Sequence, residues 1–209
     1  MSTKRLQLVV LALLIVCQPQ VIPGINLSVV AVAVSESGVA AELDPQLQLT
    51  KDALLNKGSS DQMRVNAAEV MLSQENPLAR EILLEALKQT ENNGVLDAVC
   101  KALIRTGAGK SRIKDVNDFT APLLGILASE NTKTAKLAAE ATLIFDYESI
   151  SESLDTLIND ASAPLSGRLS AIYALELHPD MRAAVELLSL VDNPQGEIAG
   201  EAKRALSAL

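Results

Sequence analysis

Arg64-Val65-Asn66-Ala67-Ala68-Glu69-Val70-Met71 returns four more times along this chain. The copies are Leu96-Asp97-Ala98-Val99-Cys100-Lys101-Ala102-Leu103, Lys136-Leu137-Ala138-Ala139-Glu140-Ala141-Thr142-Leu143, Arg168-Leu169-Ser170-Ala171-Ile172-Tyr173-Ala174-Leu175 and Ala199-Gly200-Glu201-Ala202-Lys203-Arg204-Ala205-Leu206. Their starts lie 32, 40, 32 and 31 residues apart. Self-similarity at such a period predicts an all-α chain, an α-solenoid of stacked helical units. Stacks of this kind present surfaces to partners and seldom carry chemistry.

The composition points the same way. Of 209 residues only 2% are aromatic, and Trp is absent. A thin layer between neighbouring helices can be filled by Leu, Ile, Val and Ala, so it needs few large rings. The net charge is −8, with acids and bases interspersed. That balance disfavours nucleic acid, whose phosphates call for Lys and Arg. The lone His178 and the two cysteines, Cys17 and Cys100, leave no metal-ligand cluster and no Ser/His or Cys/His pairing. No catalytic residue, cofactor or metal is expected.

Residues 1–33 read as a signal peptide. Lys4 and Arg5 precede a nearly continuous apolar run from Leu6 to Cys17, and Ala31-Val32-Ala33 offers the small-x-small pattern of a cleavage site. The first run is too short for a bilayer of roughly 30 Å, which takes about 20 apolar residues. The alternatives are an uncleaved anchor over Leu6 to Val34, or lipidation at Cys17, where Val16 stands in place of the small residue that signal wants. Cleavage after Ala33 removes Lys4 and Arg5 with no acid, and takes the charge from −8 to −10.

The body divides into a flexible entry and N-terminal capping helix over 34–60, then a repeat region over 61–209. Asp44-Pro45 predicts a helix start, and Gly58 its end. Four helix pairs follow: Asp61–Ser73 with Pro77–Thr90, Gly94–Arg105 with Thr120–Ser129, Thr132–Ile144 with Glu148–Asn159, and Pro164–Leu177 with Pro179–Val191. An enlarged loop, Thr106–Asp118, accounts for the single long interval. A last helix, Pro194–Ala208, has no partner and a polar composition, as a terminal cap requires.

The first helix of each pair, with its Arg at position 64 or 168 and its Ala-Ala or Ser-Ala centre, is followed by a short turn and a Leu-rich helix. This unit resembles the HEAT repeat, in the compact form common in bacterial proteins. The resemblance spans Asp61 to Leu209, and the copies at Arg64 and Arg168 fit best. Leu96 and Ala199 replace the Arg in two others, so a ladder of that side chain is incomplete. The resemblance implies about four HEAT-like pairs with a capping helix at each end, and second helices that line a concave binding face. Tetratricopeptide and ankyrin signatures are missing.

Several residues invite a chemical reading. Gly107-Ala108-Gly109-Lys110-Ser111 ends like a P-loop, but the pattern needs a Gly where Ile104 stands, and the segment follows a helix. Its basic residues Lys110, Arg112 and Lys114 read instead as a solvated loop and a candidate contact point for an acidic partner. Cys100 sits where other copies carry Ala68 and Ile172, so it reads as a small buried hydrophobe. His178 precedes Pro179 between helices, as a cap or linker. Asp146, Glu148, Glu152, Asp155 and Asp160 make the third pair acidic but lack calcium-loop spacing, and read as a solvated face.

The functional expectation is an exported, periplasmic or secreted, non-enzymatic module that binds or scaffolds an unidentified protein or peptide. The rivals are a subunit or regulator of an enzyme complex, since some HEAT-like families are bilin lyases and others DNA glycosylases, and a membrane-anchored repeat module. The leader decides the address. Mass spectrometry of the native N-terminus is expected to find Val34 first. Bulky residues at Ala31 and Ala33 are expected to block processing, and an unchanged mature size in that double variant would refute the site.

Overall fold

The computed structural model describes residues 44–89, 91–108 and 113–209. The leader with Ala31 and Ala33, Cys17, the entry before Asp44, and Lys110 and Arg112 lie outside the described residues. The chain is all-α: among the described residues there is no strand. The helices are α1 (Pro45–Leu55), α2 (Asp61–Ser73), α3 (Pro77–Lys88), α4 (Asn93–Gly107), α5 (Thr120–Leu127), α6 (Thr132–Ala141), α7 (Tyr147–Asn159), α8 (Leu165–Leu177), α9 (Met181–Ser189) and α10 (Gly196–Leu206). None of them is long and apolar enough to cross a membrane.

Local chemistry sets most of these boundaries. The side chains of Ser60, Asn76 and Asn131 accept from Met63, Leu78 and Thr134 backbone N–H groups and so start α2, α3 and α6. Each satisfies a donor that the helix itself leaves free. Most other boundaries fall within one to three residues of the expected ones, and three shifts have a plain cause. Helix α1 ends at Leu55 because Asn56 turns extended, and Gly58 sits three residues beyond, its N–H on the Asn56 side chain. Helix α9 starts at Met181 rather than Pro179, because Asp180 supplies the capping oxygen to Arg182. Helix α10 starts at Gly196 rather than Pro194, because Asn193 spends its side chain on an Asx turn to the N–H of Gln195. The enlarged loop ends in a 3-10 turn, Val116–Phe119, which buries the Phe119 ring.

The first helices of the pairs pack on one another in chain order: α2 on α4, α4 on α6, α6 on α8, α8 on α10. The second helices are less closely joined, α3 to α5 and α5 to α7, and α1 covers the outer side of α2. Composition explains the difference. The first helices bury Ala67, Ala68, Ala98, Ala102, Ala138, Ala139, Ala171, Ala174, Ala202 and Ala205 beside larger Val65, Met71, Leu103, Ile172 and Leu175. The second helices bury Leu83, Leu87, Leu123, Leu127, Leu154, Ile158 and Leu187 in the same core. Small side chains let backbones approach, and large ones fill the gap that opens behind them.

Polar ties cross the junctions at about the repeat distance. Arg105 reaches Glu69 at 3.1 Å, and buried Asp97 accepts from Thr134 at 2.8 Å and meets Lys133 at 2.9 Å. Arg204 meets Glu176 between α8 and α10. The exposed pairs contribute little individually. Asp97 matters more, since an unpaired buried carboxylate is costly.

The tightest approach of a glycine to backbone atoms of another segment is at Gly167. A Cβ there would lie 2.8 Å from the Ala128 Cα, a backbone atom that cannot swing aside. Gly200, in the middle of α10, has nothing within 4 Å of the same position. Gly167→Ala is expected to destabilise by about 1–3 kcal/mol through overpacking. Gly200→Ala is expected to stabilise by about 0.5–1 kcal/mol through helix propensity alone. Urea unfolding of the two variants checks both signs, and equal effects would contradict the packing described.

Candidate functional site

The residues of α7 sort by face. Ile150, Leu154 and Ile158 are buried, while Glu148, Glu152 and Asp155, at i, i+4 and i+7, face solvent. Helix α9 sorts differently. Ala183 and Leu187 are buried, yet Met181, Val185 and Leu188 form a second stripe at i, i+4 and i+7 that is 79%, 61% and 63% exposed. An amphipathic helix on a core hides its apolar stripe. This helix has two, and only one is covered.

The two helices are joined by a polar network. The Tyr147 hydroxyl donates to Glu186 Oε2 at 2.5 Å, and Arg182 lies over the Tyr147 ring at 5.4 Å. Arg182 also meets Asp180 at 2.9 Å and Glu148 at 3.8 Å. His178, the buried C-cap residue of α8, packs its ring 5.8 Å from Tyr147, with Nε2 3.3 Å from Thr142 Oγ1. Burial lowers the His178 pKa and keeps the ring neutral, against the pull of Asp180. Burial also raises the Glu186 carboxyl above its usual range, partly offset by the Tyr147 hydrogen bond. The hydrogen bond to Arg182 holds Asp180 down at about 2. The network fixes α9 against α7 and so sets the apolar stripe beside the acidic one.

A second feature lies at the other pairs. A cleft forms between the α2–α3 turn and the end of the enlarged loop, with Met71, Leu83, Ile113 and Phe119 as apolar walls. Arg80 crosses it to Asp115 and, at 3.4 Å, to Asp118. Asp115 adopts a left-handed conformation, with φ of 49°. Lys114 lies on the rim and is exposed.

Of the basic loop residues, Lys114 is therefore placed beside a cleft, whereas Lys110 and Arg112 fall outside the described residues. Cys100 is fully buried, and burial, with the Asp97 charge behind it, pushes its thiol up to about 12. Such a thiol is a packing element rather than a nucleophile. Among the described residues no group of His, Cys, Asp or Glu is placed to hold a metal ion. The acids of the third pair do not converge; Asp160 instead binds the hydroxyl and backbone of Ser162. The α9 stripe and the Tyr147–Glu186 network were not singled out from sequence. Their separation of 39 residues is close to the repeat spacing, and Met181, Val185 and Leu188 stand at helical spacing.

Neither protein-family models nor curated proteins give a match to this chain.

The His178 shift has a readable consequence. Its folded-state pKa lies below the ordinary 6.5, so below that pH the unfolded chain binds a proton before the folded one does. Stability from the neutral ring is whole above about pH 6.5 and falls as pH drops through the lowered folded value. Glu186 acts in the opposite sense, since its raised pKa favours the folded state as pH falls toward 4.5. The difference in unfolding free energy between wild type and His178→Gln isolates the ring. That difference is expected to shift toward the variant between pH 8 and pH 5.5, and a pH-independent difference would refute it.

Proposed function

We propose that this chain is an exported, non-enzymatic protein-binding or scaffolding module built as a HEAT-like α-solenoid, with α3, α5, α7 and α9 forming its binding face. The repeated sequence and the ordered packing of first helices on one another support the solenoid reading. The leader supports export. The binding reading rests on one observation above all: the uncovered stripe Met181, Val185 and Leu188 beside the acidic stripe Glu148, Glu152 and Asp155. Apolar surface at helical spacing on a fixed helix is what a partner helix or peptide buries. The neighbouring acids favour a partner that is basic as well as apolar.

The same face continues through exposed Glu81 and Glu85 on α3 and the bare positions Ala121 and Gly125 on α5. It offers an elongated surface rather than a closed pocket, and elongated surfaces suit polypeptide partners. Lys114 and the Arg80 cleft form a separate contact point of mixed charge.

The test is affinity capture of the exported protein from its native envelope, with wild type beside Met181→Ser/Val185→Ser/Leu188→Ser. The triple variant is expected to keep its helical circular dichroism and stability, because surface changes of this kind cost about 0.5 kcal/mol or less each. It is expected to lose a partner that wild type retains. Identical partners for both proteins would exclude this face, and recovery of a small molecule turned over by the protein would favour an enzyme.

A further inference from the structure

Arg64 and Arg168 occupy the same position of two copies, and both are buried, at 8% and 6% exposure. Each turns its guanidinium onto the carbonyl end of the preceding helix. Arg64 Nη2 donates to the Asn56 and Lys57 carbonyls at 3.0 and 3.1 Å, and Arg168 Nε donates to the Ile158 carbonyl at 2.6 Å. They differ on the far side. Arg168 Nη1 donates to the side-chain oxygen of Gln195, the N-cap residue of α10. The matching N-cap residue of α4 is Asn92, one methylene shorter, and it makes no hydrogen bond to Arg64. Among the described residues, Arg64 Nε has no partner, and Nη1 has only a 3.5 Å contact with exposed Asp61.

Arg64 also lines a hollow, together with Lys57, Lys88, Gln89, Glu91 and Asn92. Three cations and one acid meet here, in a chain whose net charge is −8. The guanidinium lies over the first turn of α4, where Gly94 leaves it room; a Cβ would come within 3.1 Å of Nη1. Helix α4 is 15 residues long, and its N-cap side chain makes no capping bond. The Val95 and Leu96 N–H groups bond the Asn92 carbonyl, and the dipole with the Asn93 and Gly94 N–H groups gives this helix end, beside the guanidinium, positive character.

We propose that this hollow binds a phosphate-type oxyanion, free or esterified to a small molecule. The oxyanion would take, in the first copy, the position that the Gln195 oxygen holds in the fourth. Its oxygens meet Arg64 Nη1 and the α4 N-terminus, and Lys57 and Lys88 close over it from the rim. Fork-shaped guanidinium donors and helix N-termini both suit phosphate oxygens. The inference does not rest on the protein-binding face, although Lys88 ends α3, one helix of that face, and pairs there with Glu85 at 3.4 Å.

Isothermal titration of the full chain tests it, with inorganic phosphate in one arm and glycerol phosphate in the other, against chloride at matched ionic strength. Saturable binding is expected in at least one arm. At ligand about a hundredfold above Kd, Tm is expected to rise on the order of 5 °C. Tighter binding of glycerol phosphate assigns the ester as the source, and equal or tighter binding of inorganic phosphate assigns the free ion. Lys57→Gln/Lys88→Gln changes only exposed side chains, and is expected to weaken binding at least about tenfold, as the loss of charge-assisted hydrogen bonds predicts. Asn92→Gln supplies the longer acceptor and is expected to displace the ion while leaving the fold intact. No binding above the chloride control, or wild-type affinity in either variant, overturns the proposal.

Discussion

The close approach of one first helix to the next is the constraint on which the rest of this structure depends. These helices bury Ala67, Ala68, Ala98, Ala102, Ala138, Ala139, Ala171, Ala174, Ala202 and Ala205, and each first helix packs on the next. Where the start of α8 meets the end of α5, a methyl at Gly167 is too large, because the Ala128 backbone stands in its way. Interiors packed at this density transmit such limits from layer to layer. The Leu and Ile side chains of the second helices then fill the space that the narrow first row leaves open.

Close backbones bring the polar ends of helices into the interior as well, and those ends need partners. Arg64 and Arg168 cap the helices that precede them, and Asp97 is satisfied by Thr134 and Lys133 across the next junction. The junctions solve one problem with different chemistry. An arginine serves twice, an aspartate once, and Gly167 allows direct backbone contact in between. The incomplete arginine ladder read from sequence is thus a row of alternative solutions. The first of them leaves Arg64 Nε without an acceptor among the described residues.

Function on this scaffold follows from what the layers leave outside. A helix that buries Ala183 and Leu187 has satisfied its own packing, so Met181, Val185 and Leu188 are surplus to folding. The Tyr147–Glu186–Arg182 network holds that surplus beside the α7 acids instead of allowing α9 to roll it inward. Cys100 and His178, the two residue types that most often signal chemistry, are used for packing and capping, and burial raises the Cys100 thiol pKa and lowers that of the His178 ring.

Sequence alone determined the all-α class, the helix pairs and most of their ends, because helical period and N-cap residues are local signals. It also placed Cys100 as a buried hydrophobe, since neighbouring copies carry Ala68 and Ile172 at that position. Its errors were local competitions. Asp180 outbid Pro179 as the start of α9, and Asn193 turned its side chain to Gln195 rather than to a helix at Pro194. What only the tertiary structure decided were relations between copies. Periodicity marks Met181, Val185 and Leu188 as one stripe, but not whether a neighbouring layer covers it. The Arg64 motif likewise does not reveal that Asn92 falls short where Gln195 reaches Arg168. Both depend on distances across layers, which are set by packed side-chain volumes rather than by position along the chain.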